Sequence, residues 1–447
     1  METLVTAGQL ILSLSILIVL HELGHFVPAK LFNTRVEKFY LFFDPWFELF
    51  KIKKGETEYG IGWLPLGGYV KIAGMIDESM DTEQMKQPPQ PWEFRSKPAW
   101  QRLIIMLGGV TVNFVLGLFL YGMVLWYYGE DYLAPEDAVY GISVDSLGME
   151  MGLQDGDIPV AVDTLRYRKM ADQTLKKAII IDNAQTFTVR RDGREVVLPI
   201  DSKLSKVVSS RANKDKIIFT TRTPFTVYET REGYPADSAD FERDDVVISV
   251  DGMPTPYFLD FAKALRTKKG ERIDVGVLRS GDTVTVSTGV GQDGRTGLTA
   301  YPDTLYFDYT HVDYSLLSAL PAGATRGWSA LTDQFKAFGQ MFQGNIKASD
   351  SLGGIGSIAS LYGGTWDWQR FWSMTALLSL ILAFMNLLPI PALDGGHVMF
   401  LLYEVVTGRK PSDKFMEVAT LVGFILVIGL MLYANGLDVW RWITGKF

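Results

Sequence analysis

Apolar stretches that carry no Lys, Arg, Asp or Glu alternate with polar regions along the 447-residue chain. These uncharged stretches cover residues 4–20, 103–128, 371–393 and 418–437. Each is close to the roughly 20 residues that cross a bilayer as a helix, although Pro389 and Pro391 interrupt the third. No basic segment precedes the first stretch and no small-residue cleavage site follows it, so we expect it to be retained. The pattern therefore predicts a polytopic α-helical membrane protein with four transmembrane helices.

The segment that follows the first stretch has the composition of β-strands. Aromatic and β-branched residues predict strands at 36–43, 46–53, 56–63 and 69–73, with Asp44-Pro45 as a turn between the first two. We expect a membrane-associated β-sheet whose edge binds an extended substrate backbone at Gly67, Gly68, Tyr69 and Val70. A purely structural interfacial hairpin is the alternative. The polar residues 77–98, which include Pro88 and Pro89, indicate a loose linker.

Residues 131–310 look soluble and β-rich, and they contain an internal repeat. The segment from Met151 to Asp163 is echoed by the segment from Ala236 to Gly252, a spacing of roughly 90 residues. Each copy resembles the helix-turn-strand part of a PDZ domain, whereas a generic β-sandwich is the alternative. After the repeats, Thr325–Lys347 is predicted to form an amphipathic helix on the outer membrane surface or against a PDZ-like domain.

The sequence HELGH, residues 21–25, lies at the end of the first apolar stretch. Histidines four positions apart on a helix share one face, so His21 and His25 can bind the same metal ion. Glu22 between them can activate a metal-bound water. Two polar histidines at a helix end are the alternative, but the chain has only four His. Ionisable groups at membrane depth are costly and usually functional, which favours a metal site.

A catalytic zinc site needs a third protein ligand and keeps one position open. Asp394, at the end of the third apolar stretch, is the best candidate because both stretches bring these residues to a similar depth. An unpaired carboxylate there would be costly, and a metal would remove that cost. For His397 we expect a structural or supporting role, since a fourth protein ligand would close the site.

The motifs in the first and third apolar stretches together resemble those of a known family. HExxH in a first membrane helix, paired with NxxPxPxLDG at residues 386–395, looks like the site-2 proteases, which are intramembrane zinc metalloproteases. Thr57–Tyr59 followed by Pro65–Lys71 resembles the bacterial RseP group of this family, and so does Gly108–Phe114. The last segment departs from the usual Ala-Gly-Pro-x-x-Asn-Phe at Gly108 and Val110. The resemblance runs almost end to end.

The resemblance implies roles for five residues. His21, His25 and Asp394 would bind Zn²⁺, and Glu22 would act as general base and then general acid. Asn386 would hold the substrate carbonyl or stabilise the oxyanion; without the resemblance, a polar residue that packs helices is the alternative. The RseP group carries tandem PDZ domains, and the resemblance implies that the two repeats act as a size filter or bind an exposed C-terminus.

The distribution of charge along the chain predicts the orientation of the helices in the membrane. Lys and Arg flank the connections between the first and second and between the third and fourth helices, so the positive-inside rule puts these connections in the cytoplasm. Both termini and the PDZ-like region then lie outside the bacterial cytoplasmic (inner) membrane. The net charge of −8 gives no support for nucleic-acid binding, and the absence of Cys excludes disulfides.

We therefore expect an intramembrane zinc endopeptidase that cuts transmembrane segments of single-pass membrane proteins, after another protease has trimmed them. Anti-sigma factors or signal-peptide remnants are the substrates that the resemblance implies. A catalytically silent scaffold that binds partners through its PDZ pair is the main alternative, and a metal transporter is a second. The expected segments are transmembrane helix 1 (1–30), β loop (31–98), helix 2 (99–130), PDZ-like domains (131–221 and 222–310), amphipathic helix and linker (311–370), helix 3 (371–407) and helix 4 (415–440).

Overall fold

The computed structural model describes residues 2–65, 67–75, 87–210, 213 and 216–444. The chain divides into two compact units. The first, which we call the helical unit, contains Met1–Gly129, Asp313–Phe338 and Ser351–Phe447. The second, the β-rich unit, contains Glu130–Val312 and Gly339–Asp350. The linker predicted at 77–98 lies outside the described residues as far as position 86.

The elements are numbered in chain order. The helices are α1 (Glu2–Leu31), α2 (Ala99–Tyr128), α3 (Ser146–Glu150), α4 (Asp172–Ile180), α5 (Leu204–Ser209), α6 (Phe258–Leu265), α7 (Leu316–Phe342), α8 (Ala348–Ser351), α9 (Ile355–Ser360), α10 (Trp368–Leu387), α11 (Asp394–Thr407) and α12 (Asp413–Ile443). The strands are β1 (Val36–Leu41), β2 (Phe43–Lys54), β3 (Thr57–Leu64), β4 (Tyr69–Ile72), β5 (Glu130–Tyr132), β6 (Ile142–Val144), β7 (Ile158–Val162), β8 (Leu165–Arg166), β9 (Thr186–Arg191), β10 (Arg194–Pro199), β11 (Phe219–Thr221), β12 (Val227–Thr230), β13 (Val246–Val250), β14 (Met253–Pro254), β15 (Arg272–Arg279), β16 (Asp282–Gly289), β17 (Leu298–Ala300) and β18 (Thr310–Val312).

Four helices in the described part of the chain are long and apolar enough to cross a membrane. They are α1, α2, α10 and, from Lys414 onward, α12. The predicted third span, 371–407, is not one helix, because α10 ends at Leu387 and α11 begins at Asp394. Pro389 and Pro391 lack the N–H that would continue the helix. The break places six non-helical residues directly before Asp394.

The helix predicted at Thr325–Lys347 begins earlier, at Leu316, and packs in the helical unit. Ala319, Gly323, Gly327 and Leu331 recur every four residues and form its buried face. A Cβ added at Gly323 would overlap the backbone of α2. Pro321 and the glycines look like helix breakers in the sequence, yet the glycines allow this close helix contact.

Residues 36–72 form a four-stranded sheet with the order β2-β3-β1-β4. The four predicted strands are confirmed, and β4 lies at an edge, paired antiparallel with β1. The turn predicted at Asp44-Pro45 is wrong, because both residues lie within β2. The β2–β3 register is irregular there, and a bulge tolerates a proline. The break between β1 and β2 falls instead at Phe42, with φ of 67°.

The predicted internal repeat is confirmed in the β-rich unit. Each copy has a four-stranded sheet of equivalent order, β8-β7-β9-β10 in the first and β14-β13-β15-β16 in the second. A buried aspartate accepts two hydrogen bonds from an arginine in both copies, Asp157 from Arg191 and Asp245 from Arg279, at 2.7–2.8 Å. The assignment of these repeats as PDZ-like domains stays a prediction.

Candidate metal centre

His21 and His25 lie on one face of α1, and Asp394 joins them from the start of α11. Within the described ranges, these residues form the one group of three or more His, Cys, Asp or Glu placed to hold a metal ion. Nε2 of His21 lies 3.3 Å from Nε2 of His25 and 3.3 Å from Oδ2 of Asp394. The third distance, from Nε2 of His25 to Oδ2 of Asp394, is 3.4 Å.

This triangle has the size that zinc requires. Tetrahedral ligands about 2.0–2.1 Å from a zinc ion are about 3.3 Å apart. In addition, Oδ2 of Asp394 is buried and accepts no hydrogen bond from the described residues. A buried acceptor without a partner is costly, and a cation at the centre of the triangle would remove that cost. The donor set of two imidazoles and one carboxylate therefore fits a zinc ion.

The local sequence explains how Asp394 reaches the histidines. The proline-containing break after α10 turns back tightly on the first turn of α11. A Cβ added at Gly395 would overlap the carbonyl oxygens of Leu387 and Leu388, and one at Gly396 would overlap Pro391. The two glycines after Asp394 are therefore needed for the turn that aims its carboxylate at α1.

Groups on α2 orient both imidazoles. Nδ1 of His25 lies 2.8 Å from the carbonyl oxygen of Ile105 and can donate to it. Nδ1 of His21 lies 3.2 Å from the amide of Asn113, whose Oδ1 has no partner when Nδ2 faces the histidine. The opposite amide orientation lets Oδ1 accept the Nδ1 proton. Both contacts leave Nε2 free to bind a metal.

Glycines bring α1 and α2 together at this level. A Cβ at Gly108 would overlap the carbonyl oxygen of Gly24, and a Cβ at Gly109 would meet both imidazoles. The absence of side chains at these positions therefore leaves the space that the histidine rings occupy. The sequence of Gly108–Phe114 indicates only a resemblance, so the roles of Gly109 and Asn113 emerge from the structure. The sequence features that point to these roles are an amide residue, Asn113, and two adjacent glycines, Gly108 and Gly109, in an uncharged apolar stretch.

Glu22 faces the edge of the β-sheet. Its carboxylate is close to the two histidines and Asp394, and the backbone N–H of Val70 is directed toward it. Gly68 packs on α1, since an added Cβ would lie 2.6 Å from Cγ2 of Ile18. Tyr69 stacks on Tyr40 and donates a hydrogen bond to Asp44 at 2.9 Å. Of the predicted residues Gly67–Val70, Val70 therefore lies beside the predicted general base and Gly68 contacts α1 one turn before it, whereas Gly67 approaches the ring of Phe43.

Of the two remaining candidate residues, Asn386 lies at the metal centre and His397 does not. Asn386, in the last turn of α10, places Nδ2 3.4 Å from Nε2 of His21, which puts an amide donor beside the metal centre. His397 is not part of the cluster and lines a separate cavity with Phe94, Arg102 and Glu404.

Comparisons with known proteins agree over nearly the whole chain. A family model described as peptidase family M50 matches residues 9–430. A Neisseria meningitidis protein named as a zinc metalloprotease is 27% identical, covering 96% of this chain and 98% of the relative. The regulator of sigma E protease of Haemophilus influenzae is 26% identical, covering 97% and 98%. The regulator of sigma-E protease RseP of Escherichia coli is 27% identical, covering 95% and 96%.

Proposed function

The chain belongs to peptidase family M50 and is a zinc metalloprotease of the site-2 type, and from this premise we propose that it cleaves transmembrane segments of single-pass membrane proteins. His21, His25 and Asp394 hold the zinc ion, and Glu22 and Asn386 carry the chemistry. The observation that carries the proposal is the triangle of donor atoms at 3.3–3.4 Å beside Glu22. Family membership disfavours the silent scaffold and the metal transporter.

The residues divide the reaction between them. When bound, zinc polarises the scissile carbonyl and the attacking water. Glu22 accepts a proton from that water and passes it to the leaving amide nitrogen. Asn386, whose Nδ2 lies 3.4 Å from Nε2 of His21, donates a hydrogen bond to the developing oxyanion. Ile105 and Asn113 keep the two imidazoles aimed at the centre.

The edge strand β4 presents the substrate. A membrane-spanning helix must unwind before its peptide bonds can be cut, and each exposed backbone group then needs a partner. β4 has β1 on one side, and the backbone N–H of Val70 points toward Glu22 on the other. Strand addition to this edge therefore supplies backbone partners at the position of the general base.

The partners follow from the relatives and the charge pattern. Two relatives are named as regulators of sigma-E, which supports a membrane anti-sigma factor as substrate; signal-peptide remnants suit the same chemistry. The positive-inside rule supports an inner-membrane location with both termini and the β-rich unit outside the cytoplasm. The two repeats, as PDZ-like domains, admit substrates that another protease has trimmed. If they act as a size filter, deletion of 131–310 makes an uncut substrate with a large outer domain cleavable.

The test compares wild type with Glu22→Gln on a model transmembrane substrate in liposomes, with and without a zinc chelator. Glu2→Gln is the matched control, because Glu2 lies at the other end of the same helix. We expect Glu22→Gln to retain zinc and lose cleavage, and the chelator to abolish wild-type cleavage until Zn²⁺ is restored. Cleavage by Glu22→Gln at the wild-type rate would refute the proposed role.

A further inference from the structure

A cavity lies where the start of α2, one face of α11 and the start of α12 meet. Its volume of about 60 Å³ is several times the roughly 10–15 Å³ that a single water molecule needs, so the cavity can hold a group of several heavy atoms. None of the five proposed site residues lines it. The lining includes His397, Phe400, Leu401 and Glu404, which follow one face of α11, and Met416 and Thr420 of α12.

The charge of this cavity is predominantly positive. Arg95, Arg102 and Lys410 line it, and Glu404 is the one carboxylate among the described residues that do so. Apolar side chains such as Phe400 supply much of the remaining wall. This combination suits a ligand that is anionic at one end and apolar at the other.

Arg102 is built into the wall of the cavity. Its side chain is 8% exposed, and the guanidinium lies 6.0 Å from the centre of the Phe94 ring. Nε donates a hydrogen bond to the carbonyl oxygen of Lys97 at 2.9 Å, and Nη2 donates to Oε1 of Glu404 at 2.5 Å. A guanidinium carries five N–H donors in a planar fork, so these two contacts leave donors for a ligand. Arg102 is therefore a cation of fixed position.

Lys410 reaches the same cavity from the connection between α11 and α12. Its side chain is exposed, and a lysine is a compact charge on a flexible stem, so it can follow a ligand that enters the cavity. The preceding residue, Arg409, is also exposed but does not line the cavity. The cavity thus combines one fixed cation with one adjustable cation.

The cavity lies at the boundary between the apolar spans and water. The uncharged stretch of α2 begins at Leu103, directly after Arg102, and the apolar span of α12 begins at Lys414. The proposed orientation places these helix ends on the cytoplasmic side, where the membrane surface carries anionic headgroups. Basic pockets between transmembrane helices at this level bind phospholipid headgroups.

We propose that this cavity binds the phosphate group of an anionic phospholipid, with Arg102 and Lys410 as its cationic partners. An arginine fork pairs with two phosphate oxygens, and a lysine adds a point charge. Phe400 and Met416 pack against the glycerol and the first methylene groups, which favours a lipid over a free phosphate ion. The lipid joins α2, α11 and α12 at one end, and α11 begins with the proposed metal ligand Asp394. The inference rests on the proposed orientation and goes beyond the proposed function.

The experiment titrates the purified full-length protein in a non-ionic detergent with phosphatidylglycerol or with zwitterionic phosphatidylethanolamine of the same acyl chains. Native mass spectrometry counts the lipids that each protein molecule retains. We expect wild type to retain one phosphatidylglycerol with an affinity about tenfold higher than that for phosphatidylethanolamine, because the cavity has an excess of positive charge. Equal retention of the two lipids would overturn the proposal.

Variants of opposite sign test the electrostatic basis of binding. Lys410→Gln should weaken retention of phosphatidylglycerol about fivefold, whereas Glu404→Gln, whose amide oxygen still accepts from Arg102, should strengthen it about fivefold. Arg409→Gln is the matched control, since it removes the same charge one residue away without changing the lining, and it should bind as wild type. Thermal unfolding checks that each variant is folded. An equal loss in Arg409→Gln and Lys410→Gln would contradict a defined site, and so would unchanged retention in both Lys410→Gln and Glu404→Gln.

Inorganic phosphate distinguishes the two sources of the ligand group. We expect an excess of inorganic phosphate, compared with sodium chloride of the same ionic strength, to leave the bound phosphatidylglycerol in place. Displacement by phosphate alone would assign the cavity to a free anion and refute the lipid.

The outcomes also separate this inference from the functions proposed above. Detergent has no leaflets, so selective retention reports on the cavity alone and not on the orientation. If Glu22→Gln loses cleavage but no variant changes lipid retention, the inference fails and the protease function stands. If the lipid results appear but Glu22→Gln still cleaves at the wild-type rate, the proposed catalytic roles fail and the lipid site stands.

Discussion

Substitution of Gly109 by alanine should empty the metal centre without touching any proposed ligand. A Cβ at this position would lie 2.6 Å from Cε1 and 2.9 Å from Nδ1 of His21, where ordinary contact begins at 3.4 Å, and closer still to Nε2 of His25. The His21 ring must therefore retreat by about 0.8 Å, whereas zinc sites tolerate changes of about 0.2 Å in ligand distance. Because a mere loss of an orienting contact costs about 10- to 100-fold in metal affinity, we expect at least that loss.

The assay is the zinc content of purified protein after dialysis against a graded series of chelator concentrations. Gly8→Ala is the matched control, since Gly8 lies in the same α1 helix as the histidines and an added Cβ there meets no atom within 4 Å. Thermal unfolding in the presence of chelator checks that both variants keep the apo fold. If Gly109→Ala retains zinc at the same chelator concentrations as wild type, the close approach of α1 and α2 does not create the space for the imidazoles.

Three further predictions concern other parts of the molecule. Asn113→Ala should weaken zinc binding by about tenfold, because it removes the group that orients His21, whereas Asn113→Asp keeps an acceptor; chelator titration measures both. Val70→Pro removes the N–H that faces Glu22 and should abolish cleavage of a membrane substrate with zinc content unchanged, while Val70→Ala should cleave normally; activity in Val70→Pro would argue against strand addition. Asp245→Ala removes the buried carboxylate that accepts two hydrogen bonds from Arg279, which keeps Glu242 as a partner, and should destabilise the second repeat by about 1–3 kcal/mol. Urea unfolding monitored by hydrogen exchange in each repeat measures this, and equal stability would count against a structural role for the pair.

Local patterns in the sequence predicted part of the centre, and tertiary contacts account for the rest. His21 and His25 share one helical face with Glu22 next to them in the sequence, and Asp394 is an isolated charge after an apolar stretch, so local sequence patterns identified all four residues. The role of Gly109 depends on a contact between two helices that no local pattern records. Likewise, the contact between Arg102 and Glu404 joins residues 302 positions apart in the chain.

The errors have similar physical causes. Asp44-Pro45 has turn chemistry, but an irregularity in β2 accommodates the proline, and the residues of positive φ are Phe42 and Trp46 on either side of this pair. Pro321 and the glycines near it prevent the sequence pattern from predicting the start of α7. Glycines weaken an isolated helix, but here they permit close packing against α2.

The separation of the proposed ligands along the chain has a consequence for synthesis. His25 precedes Asp394 by 369 positions, so a growing chain carries half of the centre long before the other half exists. At about 5–20 residues per second, that interval is roughly 20 to 70 s. Two imidazoles alone hold zinc weakly, so on the proposed assignment of ligands the nascent protein lacks proteolytic activity during this time. On the proposed assignment, catalytic competence arises only when α11 brings Asp394 beside His21 and His25 of α1 and completes the ligand set.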